Sequence, residues 1–348
     1  MRHRIAALQQ HLHDTGISGA VLTNFTDGQP SPNFTYYTGY DGFGLLVVPA
    51  IGTATLYAPA MELGRARKSG VPARPYDRTT LTKLKFRGKV GIDFGRTDLE
   101  VWAKLRKALG KAKPVNLSPT IERLRLVKDA QELTALRRAC QISDTIYAAT
   151  FRRFNTFKTE LDVAMFMNAE AARRGVPLAF DTIVASGPHG AIPHHKPTNA
   201  KLRGFTVIDF GVKAEGYCSD TTRTLFVGKP TRRDRACYAL VLAAQRAGII
   251  ASGNDRRCAE IHRVAEIVLG AHRKRFIHSL GHGVGLEIHE APALGPHSKH
   301  LLLDDSPYTI EPGIYFPGKF GIRIEDTLVL KHGKPQLLTR FPKELVTK

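Results

Sequence analysis

The stretch VIDFGVKAEGYCSDTTRT (Val207–Thr224) decides how this chain is read. Apolar β-formers open it, β-branched residues close it, and a polar centre separates them, which is the pattern of a β-hairpin. A turn centred on Ala214 and Glu215 sets Asp209 directly opposite Asp220, so both carboxylates share one face with Cβ atoms roughly 5 Å apart. A second stretch, TIEPGIYFPGKFGIRIED (Thr309–Asp326), repeats the design around Pro317-Gly318-Lys319, and there Glu311 falls opposite Glu325. A third, HSLGHGVGLEIHE (His278–Glu290), contributes His282. A one-residue slip or a single bulge would move either acid pair out of register, so the pairing is an expectation for the structure to meet.

Four carboxylates and one imidazole, with no thiolate among them, are hard or borderline donors. They suit a pair of divalent ions such as manganese, cobalt, iron or zinc, which in binuclear sites stand ~3.5–4 Å apart and activate water. The set therefore reads as a two-metal hydrolase. Most acids near turns are solvated surface charges. These, however, lie beside Val207, Ile208, Phe210, Ile322 and Ile324, where an unpaired buried charge is expensive. Asp93, in KVGIDFGRTD, repeats the IDFG string, but nothing resembling SDTTRT follows it, so it reads as a strand end.

In these motifs the chain resembles the pita-bread metallopeptidases, and within them the proline-specific branch of prolidases and Xaa-Pro aminopeptidases. The family pattern is matched at Asp209 and Gly211, Gly216 to Arg223, Gly281 to Gly285, His289 to Pro292, Glu311 to Tyr315, and Arg323 to Asp326. The resemblance implies an α/β (α+β) protein: a creatinase-like N-terminal domain, here 1–119, followed by a pita-bread catalytic domain, 120–348. It implies hydrolysis of the Xaa-Pro bond at the N-terminus of short peptides by a water bridging two divalent ions, manganese or cobalt being favoured.

The resemblance also assigns roles. Asp209 would bind one metal, Asp220 and Glu325 would bridge, and His282 and Glu311 would bind the other, with Glu311 also acting as general base. His289 and His194 would line the substrate side and donate to the developing oxyanion. Thr222 and Arg323 would steady a ligand carboxylate or the substrate. His195, beside His194, leaves that local alignment ambiguous by one residue, and His189 reads as solvent-facing. One departure stands out: Ala293 occupies the place after HExP where some archaeal-type prolidases carry an arginine that grips a dipeptide's carboxylate. Lys299, Lys196 or Arg323 could supply that cation instead. An aminopeptidase restricted to tripeptides or longer peptides is therefore the alternative to a dipeptidase. Methionine aminopeptidases, which lack this N-terminal domain, and creatinases, which lose the metal set, match less well.

The remaining sequence agrees with two domains. At 348 residues the chain is long for a single core. The first part combines a helix with apolar Ile5, Leu8 and Leu12 with strand candidates GAVLT, GLLVV, ATLYA and KVGID. NFTYYTGY (Asn33–Tyr40) reads as packed strand aromatics; the resemblance alternatively implies that Tyr36 and Tyr37 face a neighbour's substrate in a homodimer. Asn116-Leu-Ser-Pro reads as the join. Beyond it a helix should start near Lys128, capped by Asp129 with Glu132 closing a capping box and with Leu133, Leu136 and Cys140 on its apolar face.

No signal or membrane segment is apparent, and the expected location is the cytoplasm. Cys140, Cys218, Cys237 and Cys258 lack C-x-x-C spacing and read as reduced and partly buried. The formal net charge of +20 raises a rival of another class, a non-catalytic basic module binding nucleic acid or peptide. The basic residues are scattered without interleaved aromatics, which makes a nucleic-acid partner unlikely, and a chain that had become a binding module would not be expected to keep five ligands.

Overall fold

The computed structural model describes residues 1–25 and 30–348. Two compact units are present, Met1–Arg125 and Leu126–Lys348. The expected join at Pro119 instead lies inside a helix, Ser118–Leu126. Its turn-like residues start that helix, and proline is tolerated in a first helical turn because the N–H it lacks would be unpaired there anyway.

In the first unit, β1 (Ile17–Asn24), β2 (Gly44–Pro49), β3 (Thr55–Ala58), β4 (Ala73–Pro75), β5 (Lys89–Ile92) and β6 (Lys113–Asn116) form a mixed sheet of order β4-β3-β2-β1-β5-β6. All four strand candidates fall within it. The helix Arg2–Asp14 buries Leu8 and Leu12, as its apolar spacing requires. NFTYYTGY is a helix and not a strand: Pro32–Thr38 begins after Ser31, whose hydroxyl caps Phe34 N, and ends at Gly39 in the left-handed region. Tyr36 and Tyr37 are both buried within this unit, so neither side chain is presented as an exposed substrate contact. Asp93 is spent on structure, accepting from Asn33 Nδ2 at 2.6 Å and Ser118 Oγ at 2.8 Å.

The second unit opens with the helix Ala130–Arg153. Asp129 accepts from Gln131 N and Glu132 N, and Glu132 returns a bond to Asp129 N, so the expected capping box is present. Its strands are β7 (Ile183–Ser186), β8 (Gly204–Asp209), β9 (Lys213–Ala214), β10 (Tyr217–Cys218), β11 (Thr222–Val227), β12 (Gly281–Gly283), β13 (Glu290–Leu294), β14 (Pro307–Ile310), β15 (Gly313–Phe316), β16 (Phe320–Arg323), β17 (Asp326–Lys331) and β18 (Lys334–Leu337). They form sheets of order β11-β8-β7 and β13-β12-β14-β17-β18, with the short pairs β9/β10 and β15/β16 at the tips.

The first hairpin differs from expectation. Its turn is Glu215-Gly216, both at positive φ (51° and 86°), because a tight two-residue hairpin turn needs that conformation at both central positions. Ala214 therefore pairs with Tyr217, and Asp209 lies opposite Thr222, not Asp220. Each partner moves by two positions, so the acids keep a common face. The second hairpin has the expected register: Ile310 pairs with Asp326 and Gly313 with Arg323, which sets Glu311 across from Glu325.

Buried contacts lock the two hairpins together. Thr224 Oγ1 donates to Arg323 O at 2.8 Å and accepts from Arg323 N at 3.2 Å, while Thr327 Oγ1 donates to Asp220 O at 2.7 Å. Arg223, 2% exposed, donates to Glu325 O and pairs with Asp326 at 2.7 Å. The long helix is fastened to the first hairpin by Tyr147, whose hydroxyl is 2.6 Å from Thr221 O and 3.0 Å from Ile208 O. All four cysteines are free and buried. Cys218 packs in an apolar cluster, and burial pushes its thiol up to about 12. Among the described residues no helix is long and apolar enough to cross a membrane.

Candidate metal centre

Every expected ligand sits where regular strand pairing stops or narrows. Asp209 ends β8, Asp220 lies between β10 and β11, Glu311 between β14 and β15, and Glu325 between β16 and β17. His282 is the middle residue of β12. The glycines flanking it have a steric reason: a Cβ on Gly281 would come 2.0 Å from Thr309 O, and one on Gly283 would come 2.1 Å from Ala291 O. Backbone pairing with β13 and β14 at this distance is open only to glycine.

All five residues line one cavity of about 850 Å³. Ligand atoms of Asp220, His282 and Glu325 lie within 4.8 Å of one another. Glu311 joins through His282, its Oε1 standing 3.3 Å from His282 Nε2, while Asp220 Oδ2 is 3.5 Å from the same nitrogen. Asp209 is held by Arg323 at 2.8 Å.

Three observations fit this cluster to divalent cations. First, Asp209 Oδ1, Asp220 Oδ1 and Glu325 Oε1 are buried and have no hydrogen-bond partner among the described residues. Leaving a buried carboxylate oxygen unsatisfied is costly unless a cation completes it. Second, His282 Nδ1 is 3.1 Å from Gly283 O, and only a protonated nitrogen can bond there. With Nδ1 so engaged, Nε2 is the nitrogen turned toward the acids, 3.3 Å from Glu311 Oε1, and it would meet an ion there, the usual disposition of a ligating histidine. Third, burial raises the Asp220 and Glu325 carboxyls well above their ordinary range and the neighbouring acids raise them further, while burial also raises Asp209 against the pull of Arg323. Glu311 goes the other way: burial works to raise it, but the hydrogen bond and charge of His282 overcome this and hold it at about 2. The cluster carries more negative charge than its surroundings stabilise, and divalent ions are the matching counter-charge.

The supporting residues fall into place around it. Thr222 Oγ1 donates to Glu325 Oε2 at 2.7 Å and accepts from Arg323 Nε at 3.1 Å. Arg323 is 3% exposed and lines the cavity, yet its other donors go to Tyr315 Oη at 3.0 Å and Pro193 O at 3.3 Å. Of its two implied uses, steadying a carboxylate is the one these contacts serve. His289 lines the cavity with its ring centroid 4.3 Å from that of His282, and burial lowers its pKa, so it is neutral at neutral pH.

His194 and His195 both border the cavity, but they differ. His195 Nε2 is turned to Glu160 at 2.9 Å, whereas His194 has no hydrogen bond or ion pair among the described residues. His189, expected in solvent, is only partly exposed and its Nδ1 is bonded to Glu160 at 2.9 Å. The buried Glu160 also accepts from Ser186 N, Thr198 N and Thr198 Oγ1.

Sequence reasoning missed His278 and Tyr315. His278 Nδ1 faces Ser279 O at 2.8 Å and so donates; its Nε2 accepts from Tyr315 Oη at 2.9 Å, extending the chain from Arg323. Both residues lie inside the quoted motifs, and nothing local marks them; only their convergence on Arg323 does.

Comparison with known proteins agrees with this geometry. The profile for Metallopeptidase family M24 matches residues 134–332, and that for the Creatinase/Prolidase N-terminal domain matches 4–127. An Xaa-Pro dipeptidase of Pyrococcus furiosus is 32% identical over 99% of this chain and 100% of its own length. The solved prolidase of Pyrococcus horikoshii OT3 superimposes with a TM-score of 0.91 at 28% identity, covering 99% of this chain and 100% of that one. An X-Pro aminopeptidase of Thermotoga maritima does so with a TM-score of 0.87 at 28% identity, covering 96% and 98%. Matched from end to end by such relatives, with the family motifs forming the wall of the acidic cavity, the chain belongs to metallopeptidase family M24 and carries a Creatinase/Prolidase N-terminal domain before its pita-bread domain.

Proposed function

We propose that this protein hydrolyses the Xaa-Pro bond at the N-terminus of short peptides, using two divalent ions held by Asp209, Asp220, His282, Glu311 and Glu325. The observation that carries the reading is the set of buried carboxylate oxygens on Asp209, Asp220 and Glu325 that have no hydrogen-bond partner among the described residues, on acids that line one cavity with His282 and Glu311. The names of the relatives, Xaa-Pro dipeptidase and X-Pro aminopeptidase, support the proline specificity. The carboxylate and imidazole donor set suits manganese, cobalt, iron or zinc, and the resemblance to the family favours manganese or cobalt. Such ions supply Lewis acidity that brings the pKa of a bound water toward about 7.

The chain's own residues do the rest. Glu311, ionised at neutral pH, is in the form that accepts a proton. Neutral His289, and His194 across the same cavity, offer N–H donors to the oxyanion that develops on the scissile carbonyl. Arg323 and Thr222 fix the orientations of Asp209 and Glu325. Phe180, Ile192, Ile277 and Ile288 give the cavity apolar surface suited to a pyrrolidine ring. An X-Pro bond is a tertiary amide without an N–H, so the site must recognise the ring and the peptide ends rather than the bond's own donor. A homodimer in the cytoplasm is the expected setting.

The rival reading, a basic binding module, is disfavoured because a module that never meets a metal gains nothing from burying three unsatisfied carboxylate oxygens. The deciding experiment assays Xaa-Pro dipeptides, Xaa-Pro-Xaa tripeptides, longer peptides and a non-proline control after chelation and re-addition of manganese, cobalt or zinc. Metal-restored cleavage confined to Xaa-Pro substrates supports the proposal; no metal-dependent cleavage of any peptide overturns it.

A further inference from the structure

The cavity wall is anionic where the ligands gather, and of its two long cationic side chains Arg323 is already committed to Asp209. The other is Lys196, which is exposed and has no ion pair or hydrogen bond among the described residues. Its backbone is nonetheless held in place. On one side His195 Nε2 meets Glu160 Oε2 at 2.9 Å; on the other Thr198 N and Oγ1 meet the same oxygen at 3.1 and 2.9 Å. Glu160 itself is fully buried at the start of the helix Glu160–Arg173. A single buried carboxylate thus ties the chain on both flanks of Lys196, leaving only the four-carbon stem free to sweep the cavity mouth. Ala293, also on the wall, offers only a methyl group.

A dipeptide cut at its Xaa-Pro bond carries its negative charge on the proline carboxylate, one residue from the scissile carbonyl. In an otherwise acidic cavity that charge is repelled unless a cation meets it. We propose that Lys196 binds the free C-terminal carboxylate of the substrate, making this site a reader of Xaa-Pro dipeptides, with Glu160 as the residue that positions the lysine. The inference rests on the Xaa-Pro reading above.

The test compares kcat/KM for Ala-Pro and for its C-terminal amide on the metal-loaded protein and its Lys196→Met and Lys196→Glu variants. Metal content and Tm are read alongside; both changes are at an exposed position. The native protein should prefer the acid. Lys196→Met should cut the acid-to-amide ratio roughly fivefold to tenfold, mainly through KM, and Lys196→Glu should reverse the preference. For the native protein, KM for the acid should rise with ionic strength more than KM for the amide. The same acid-to-amide ratio in all three proteins would overturn the role of Lys196 while leaving Xaa-Pro cleavage standing. Failure of the native protein to cleave either compound while it cleaves Ala-Pro-Ala would overturn this inference and leave Xaa-Pro cleavage standing; failure on all three would overturn the Xaa-Pro reading itself, and this inference with it.

Discussion

Asp220, His282 and Glu325 form one cluster and Glu160, His189 and His195 another; in both, a ligand atom from each member lies within 4.8 Å of the others. By residue type and spacing either could be a metal cage. Their oxygens differ. Glu160 spends both of its own on Ser186, His189, His195 and Thr198, and although burial works to raise its pKa, those hydrogen bonds lower it below the ordinary value. In the first cluster Asp220 Oδ1 and Glu325 Oε1 are buried and unpartnered, and burial drives both carboxyls up. Closeness of donors therefore does not define a cation site; charge that the protein leaves uncompensated does. The satisfied cluster is a loop clamp, and the unsatisfied one is where the proposed ions would complete the coordination.

The contrast can be broken most directly at Glu311. Glu311→Gln removes both the charge of a proposed ligand and the proposed proton acceptor, and steady-state assays on an Xaa-Pro peptide should show kcat/KM falling by roughly 10³-fold or more. If that variant kept near-native turnover, the first cluster would not be the reactive one. Glu160→Gln should leave the metal content at the native value when the protein is analysed after desalting, whereas Asp220→Asn should lower it.

Arg323 offers the next largest effect. Arg323→Met strands the buried Asp209 carboxylate, and chemical denaturation of the metal-free protein should show a loss of about 3–5 kcal/mol. Adding metal should recover part of it, since the ions supply the missing positive charge. Thr222→Val is gentler: losing its bond to Glu325 should weaken metal affinity roughly 10–100-fold, read by competition with a chelator, with turnover restored at saturating metal.

The smallest effect concerns pH at the clamp. Glu160 is depressed when folded, so its contribution to stability is full above the unfolded carboxyl value of about 4.3 and is lost as pH falls through the lower folded value. The Tm gap between the native protein and Glu160→Gln should therefore hold steady from neutral pH to about 4.3 and shrink below it. A gap that instead widened in acid would mean that the carboxylate is not what holds the loop.

How far the sequence could be read shows best in the two hairpins. The second was legible because Pro317-Gly318-Lys319 marks its turn, with Gly318 at a φ of 69°, and its register carries Glu311 and Glu325 to opposite positions. The first was off because Glu215, a residue that seldom takes positive φ, does so here at 51°. Gly216 was the available signal, since it best suits the second position of such a turn. The helix at Pro32–Thr38 was hidden in the same way: its aromatics suggest a strand, while Ser31, Pro32 and Gly39 spell the start and end of a helix. At Asp129 and Glu132 both signals agree, and the expectation held.

By itself the sequence determined which residues can ligate, the faces they share and the caps and turns that carry them, because those depend on spacing and on bonds between near neighbours. Only the tertiary structure decided what each polar group meets. Arg323 reaches back to Asp209, Thr222 to Glu325 and Arg223 to Asp326 across more than a hundred residues, and Glu160 gathers a loop some thirty residues further on. Whether a buried carboxylate is satisfied or left for a cation is settled by such distant partners and by the water they exclude, and no local pattern encodes it.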